Sequence, residues 1–91
     1  MQEYCMIEIA FDNLELVKEL VNVLLEQKLI ASAHVIESDS TWLWHGAKEQ
    51  AHEYLLQVKT KKKNQSLIYD IVKEKHNYDI FEFAVYDISS V

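Results

Sequence analysis

Arginine and proline are absent from this 91-residue chain, and glycine and cysteine occur once each. Each absence excludes something. Arginine's planar fork is the usual device for gripping phosphates and guanine edges, so an all-lysine chain with a formal charge of −6 argues against nucleic acid as a partner. One basic cluster exists, Lys59 with Lys61-Lys62-Lys63. It reads either as a local anion holder or as a solvated strand end leading into a helix. With no proline and 49% hydrophobic residues, the composition fits neither disorder nor two domains on a flexible linker. A lone Cys5 permits no internal disulfide and fits a reducing compartment. It lies in an apolar run, and no neighbouring feature lowers its pKa, so it reads as a small buried hydrophobe rather than a nucleophile. No stretch has the length of a membrane span or the basic start of a secretion signal, so no membrane partner is expected and the expected location is the cytoplasm.

What is present describes a single domain, residues 1–91, near the size at which a core is hard to stabilise alone. Glu3 to Phe11 is rich in Ile, Tyr, Met and Phe and reads as a central strand. Asp12 as N-cap, with Glu15 three positions on, predicts a first helix whose stripe is Leu16, Val17, Leu20, Val21, Leu24 and Leu25. A second strand follows, with Ala31, Ala33 and Val35 on one face and Ser32, His34 and Ile36 on the other. It runs on, with an irregularity expected near Glu37 to Asp39, to Ser40-Thr41-Trp42-Leu43-Trp44-His45-Gly46. There Trp42 and Trp44 share a face. His45 to Gln50 is expected to be the hairpin loop and Glu53 to Lys61 the third strand. Asn64 is the expected N-cap of a second helix carrying Leu67, Ile68, Ile71 and Val72. Ile80 to Ile88 is the expected last strand.

The order β-α-β-β-α-β is the split pattern of a ferredoxin-like α+β sandwich, with both helices on one face of an antiparallel sheet. The other face is then bare. So many aromatic and aliphatic strand residues predict an apolar patch there, and hence an oligomer.

Four blocks resemble the CutA divalent-cation tolerance proteins. Leu24-Leu25-Glu26-Gln27-Lys28-Leu29-Ile30-Ala31-Ser32-Ala33 is similar to the family's entry into its second strand, with Ser32 at a frequent cysteine position. The tryptophan segment resembles the family's alternating serine, aromatic, tryptophan and glycine, with Trp42 in place of a usual tyrosine. Glu53-Tyr54-Leu55-Leu56-Gln57-Val58-Lys59-Thr60 resembles its third strand. His76-Asn77-Tyr78-Asp79-Ile80-Phe81-Glu82-Phe83 is similar to a family segment with two prolines, here Asn77 and Phe81, and with a glutamate where Asp79 stands. The family tends to continue into a further strand and helix, whereas this sequence stops at Val91, so the resemblance is to a divergent or shortened member. It implies a tight homotrimer and a role in tolerance of divalent metals, especially copper. The fold also looks like that of the trimeric PII signalling proteins, which hold small ligands between subunits, although nothing resembles their nucleotide-binding loop.

The chemistry is read on that background. His34, His45, His52 and His76 are the candidate ligands for copper or another divalent cation, although none of them shows a strong ligand spacing. His45 and His52 either face each other across the hairpin loop or are two solvated side chains. With Ser32 at the family's cysteine position, tight Cu(I) binding is not expected. No phosphate loop, activated nucleophile or distinct carboxylate pair marks an enzyme. The candidate ligand cleft is formed by His76, Tyr78, Glu82 and Lys59, backed by Trp42 and Trp44, at positions coinciding with the family's motifs. Lys59 and Glu82 alternatively form an ion pair that fixes subunit register. The functional alternative to metal response is a PII-like regulator that binds a small molecule or protein at intersubunit clefts.

Overall fold

The computed structural model of the chain describes residues 3–91. Five elements of regular structure follow the expected alternation up to the second helix: β1 (Tyr4–Phe11), α1 (Leu14–Glu26), β2 (Ser32–Trp44), β3 (Ala47–Lys61) and α2 (Gln65–Lys75). A last strand, β4 (Phe83–Ile88), closes the sheet in the order β2-β3-β1-β4, with every neighbour antiparallel. This is the ferredoxin-like arrangement.

Alternation along the strands sorts the core. Cys5, Ile7, Ile9 and Phe11 of β1 and Leu56 and Val58 of β3 point to the helix side, where Val17, Leu20 and Leu24 of α1 and Ile68 and Val72 of α2 meet them, all buried. Full burial of such a side chain contributes roughly 1.5–3 kcal/mol. Leu25 and Leu67, expected on the helix stripes, are about half exposed, because they fall at the edge of the covered sector. Cys5 is sealed in this layer, and burial pushes its thiol pKa up, which is the behaviour of a packing residue.

The helix starts show local competition. Asn13, not Asp12, is the N-cap of α1, its Oδ1 accepting the Leu16 N–H at 3.2 Å, so Glu15 stands in the first turn beside the positive end of the helix dipole. Asn64 precedes α2 but does not cap it. Its amide donates to the Leu29 carbonyl and to Thr60 Oγ1, and a 3-10 turn over Lys62–Asn64 brings the chain into the helix.

The hairpin departs most from expectation. β2 and β3 pair without interruption from Ser32↔Lys59 to Trp44↔Ala47, so no irregularity occurs at Glu37 to Asp39, and the loop is the two residues His45-Gly46. Both have positive φ, 50° and 78°, the requirement of a type I′ turn. β1 stops at Phe11 opposite Tyr54, so the outer half of the hairpin projects with no third strand beside it. The bare face is also less apolar than expected. Ile36, Leu55, Met6 and Tyr86 are interspersed with His34, Lys59 and the pair Glu8–Gln57, in which the Gln57 amide donates to the carboxylate at 2.8 Å. No helix among the described residues is long and apolar enough to cross a membrane.

Candidate functional site

Where β1 ends, the connection between α2 and β4 passes from the helix layer around the end of the sheet. His76 holds it in place. Its Nε2–H donates to the Ala10 carbonyl at 2.8 Å, its Nδ1 accepts the Tyr78 N–H at 3.0 Å, and its ring lies between Phe11 and Phe81, stacked at centroid distances of 4.2 and 4.8 Å. Burial lowers the pKa of the ring, which favours the neutral tautomer that this pair of bonds requires. Asn77 adds a bond to Asp12 Oδ1 at 2.9 Å. So anchored, Tyr78 reaches the bare face and donates its hydroxyl to Glu53 Oε2 at 2.6 Å. Glu53 is 6% exposed. Burial, then the bond to this carboxylate, pushes the Tyr78 phenol well above its ordinary range, so it remains a donor.

Above this pair opens a cleft of about 810 Å³. Trp42 and Trp44 form one wall and Tyr78 and Ile80 another, with Glu49, Glu53, Asp79 and Glu82 supplying carboxylates and no lysine lining it. The register explains the wall: Trp42 is directly opposite Glu49, and Trp44 opposite Ala47, on the same face as Glu53.

Of the six residues expected to form a ligand cleft, Trp42, Trp44, Tyr78 and Glu82 line this one. His76 stands behind it as a support, with both ring nitrogens engaged within the chain. Lys59 is elsewhere: it pairs with Met6 and Ser32, six residues along β3 from Glu53 and hence about 20 Å away. No Lys59–Glu82 ion pair is present within the chain, and Glu82 precedes β4 instead of interrupting it. The histidines are likewise dispersed. His34 is on the bare face opposite Gln57, His45 is in the turn, and His52 is opposite Asp39 on the helix side. His52 Nδ1 donates to Asp39 Oδ1 at 3.3 Å, and it does not face His45. Among the described residues no group of three or more His, Cys, Asp or Glu side chains is arranged to hold a metal ion. Glu49, Glu53 and Asp79 are the lining carboxylates that the sequence reading did not single out as site residues. A two-residue loop at His45-Gly46 would have revealed Glu49, since its register places that residue opposite Trp42, which the expected loop over His45 to Gln50 does not.

The sequence pattern of the CutA1 divalent ion tolerance protein family matches residues 5–91. The divalent-cation tolerance protein CutA of Thermococcus kodakarensis is 28% identical over 82 residues, 90% of this chain and 79% of that protein. Its counterpart of the same name from Archaeoglobus fulgidus is 33% identical over 72 residues, 79% of this chain and 71% of that protein. The solved structure of the periplasmic divalent cation tolerance protein CutA from Archaeoglobus fulgidus superimposes with a TM-score of 0.91 at 28% identity, covering 97% of this chain and 86% of its own. With that sequence match and this fold, the chain belongs to the CutA divalent-cation tolerance family.

Proposed function

We propose that the protein is a non-enzymatic metal-response protein of the cytoplasm, working as a homotrimer, and that divalent copper or a related divalent cation is the ion it answers. The observation that carries this reading is the cleft lining, four carboxylates with no cationic side chain, in a member of a family described by divalent ion tolerance. Carboxylate and imidazole are ligands for Cu(II) and Zn(II), whereas the soft thiolate that selects Cu(I) is lacking, because Cys5 is buried. Among the described residues no group of three ligands is assembled within one chain, so a shared set from neighbouring subunits is the arrangement expected of a trimer. Exposed Ile36, Trp42, Trp44 and Tyr86 on the bare face supply the apolar surface for subunit contact.

How the reactive groups are engaged supports a non-catalytic role. His76 has no free nitrogen, and the Tyr78 hydroxyl is held protonated on Glu53. The cleft is thus left without an activated nucleophile and base. Cytoplasmic residence rests on the lone buried thiol; the Archaeoglobus relative is described as periplasmic, and cell fractionation decides the matter for this chain.

A second reading is a PII-like regulator that takes a small molecule or a protein segment at the same cleft, favoured by a volume within the range of organic-ligand sites. Calorimetry on the purified, tag-free protein separates the two. Metal response predicts Cu(II) or Zn(II) binding that weakens as pH falls through the histidine range, as protons compete for the ligands. Absence of any heat with either metal at neutral pH would contradict it.

A further inference from the structure

At the opposite end of the sheet from the acidic cleft lies a pocket of about 340 Å³ with the reverse electrostatics. Lys28, Lys61 and Lys63 line it together with Thr60 and Asn64, and no aspartate or glutamate does. None of these three lysines takes part in an ion pair among the described residues, whereas the neighbouring Lys62 is held by Asp87 at 2.7 Å. In a chain of net charge −6, a pocket that gathers three unpaired cations from two separate stretches of chain concentrates positive potential where the rest of the surface opposes it.

Two features of the backbone add to this. Lys28, two residues beyond α1, has a φ of 57°, a left-handed position where glycine is the unstrained residue. A lysine there is held against local preference, and it lines the pocket. Asn64, the residue that would cap α2, is turned inward to the Leu29 carbonyl and Thr60, so the positive end of α2 next to Lys63 carries no side-chain cap.

The geometry points to an anion site here, for a small molecule that carries a phosphate on an apolar body. Lysines act as point charges suited to phosphate, whereas a planar carboxylate favours the arginine fork this chain lacks. Tyr4, Leu29 and Ile30, which line the same pocket, offer the organic part an apolar surface.

Phenyl phosphate, inorganic phosphate and benzoate are the probes, titrated at low ionic strength into isotope-labelled protein followed by amide NMR. Phenyl phosphate should shift resonances of residues 28–31 and 60–66, bind at least five-fold more tightly than either other probe, and lose affinity as sodium chloride is raised. Lys28→Gly, which suits the backbone and preserves the fold, should weaken it at least five-fold, as should Lys63→Gln, whereas Lys73→Ala on the exposed side of α2 should not. Shifts spread over all lysine-bearing surfaces, equal affinity for the three probes, or an unchanged affinity in Lys28→Gly would overturn the assignment.

Discussion

The Tyr78 hydroxyl and the Glu53 carboxylate, 25 residues apart in sequence, are joined by a 2.6 Å hydrogen bond that ties the α2–β4 connection to the projecting hairpin. Because Glu53 is 6% exposed, removing the donor leaves a buried acceptor to be desolvated alone. Tyr78→Phe should therefore destabilise the protein by about 1–3 kcal/mol in urea denaturation. A double-mutant cycle with Glu53→Gln should return a coupling of about 0.5 kcal/mol or more, and strict additivity would remove the bond from this role.

His76 makes stability depend on pH with a definite sign. Burial lowers its folded-state pKa below the ordinary 6.5, so the unfolded chain takes up the proton first. Stability is complete above pH 6.5 and falls as pH drops from that value towards the lowered folded pKa. Protonation of Nδ1 also breaks its bond from the Tyr78 N–H. Denaturation midpoints at fixed protein concentration should decline over this window, and the decline should be smaller in His76→Phe. An identical slope in both proteins would reassign the effect to other groups.

Lys28 offers a gain in stability. The Leu29 N–H bonds the Leu24 carbonyl at 2.9 Å and the Lys28 N–H the Leu25 carbonyl at 3.0 Å, the paired bonds of a Schellman ending whose left-handed residue is here a lysine. Lys28→Gly should raise stability by up to about 1 kcal/mol, because the left-handed penalty outweighs the added freedom of glycine in the unfolded chain. Thermal unfolding checks it.

In the hairpin turn the effect reverses. A Cβ on Gly46 would meet nothing within 4 Å, so Gly46→Ala tests backbone strain alone at a φ of +78° and should cost about 1–2 kcal/mol. His45→Asn, which completes the preferred Asn-Gly pair, should recover a few tenths of a kcal/mol.

Periodicity made most of this fold legible. Ile7, Ile9, Leu20, Leu24, Ile68 and Val72 announce their elements because each has one dry face. Trp42 and Trp44 announce the far end of β2, but the start of β3 does not announce itself, since residues 45–50 are exposed and offer no apolar alternation to read. That misread loop hid Glu49. Phe81 packs on the core from the connection, not from β4, which is why the last strand was expected three residues too early. Tyr78 and Glu82 were found by their place in a motif. Lys59 also holds a motif position and is joined to Glu82 by charge, but neither a motif position nor a charge carries information about register, which puts it beside Met6 and Ser32 instead.

The most direct test of a cation-facing cleft uses its own tryptophans. Trp42 and Trp44 are the two tryptophans of the chain and both line it, so intrinsic fluorescence reports on this site. Titration with copper(II) sulfate at neutral pH should quench the emission in a saturable way, with an affinity lowered at least five-fold in Glu49→Gln/Glu82→Gln, two exposed lining carboxylates whose replacement leaves the core untouched. Quenching that never saturates, or that is the same in the double variant, would contradict the account.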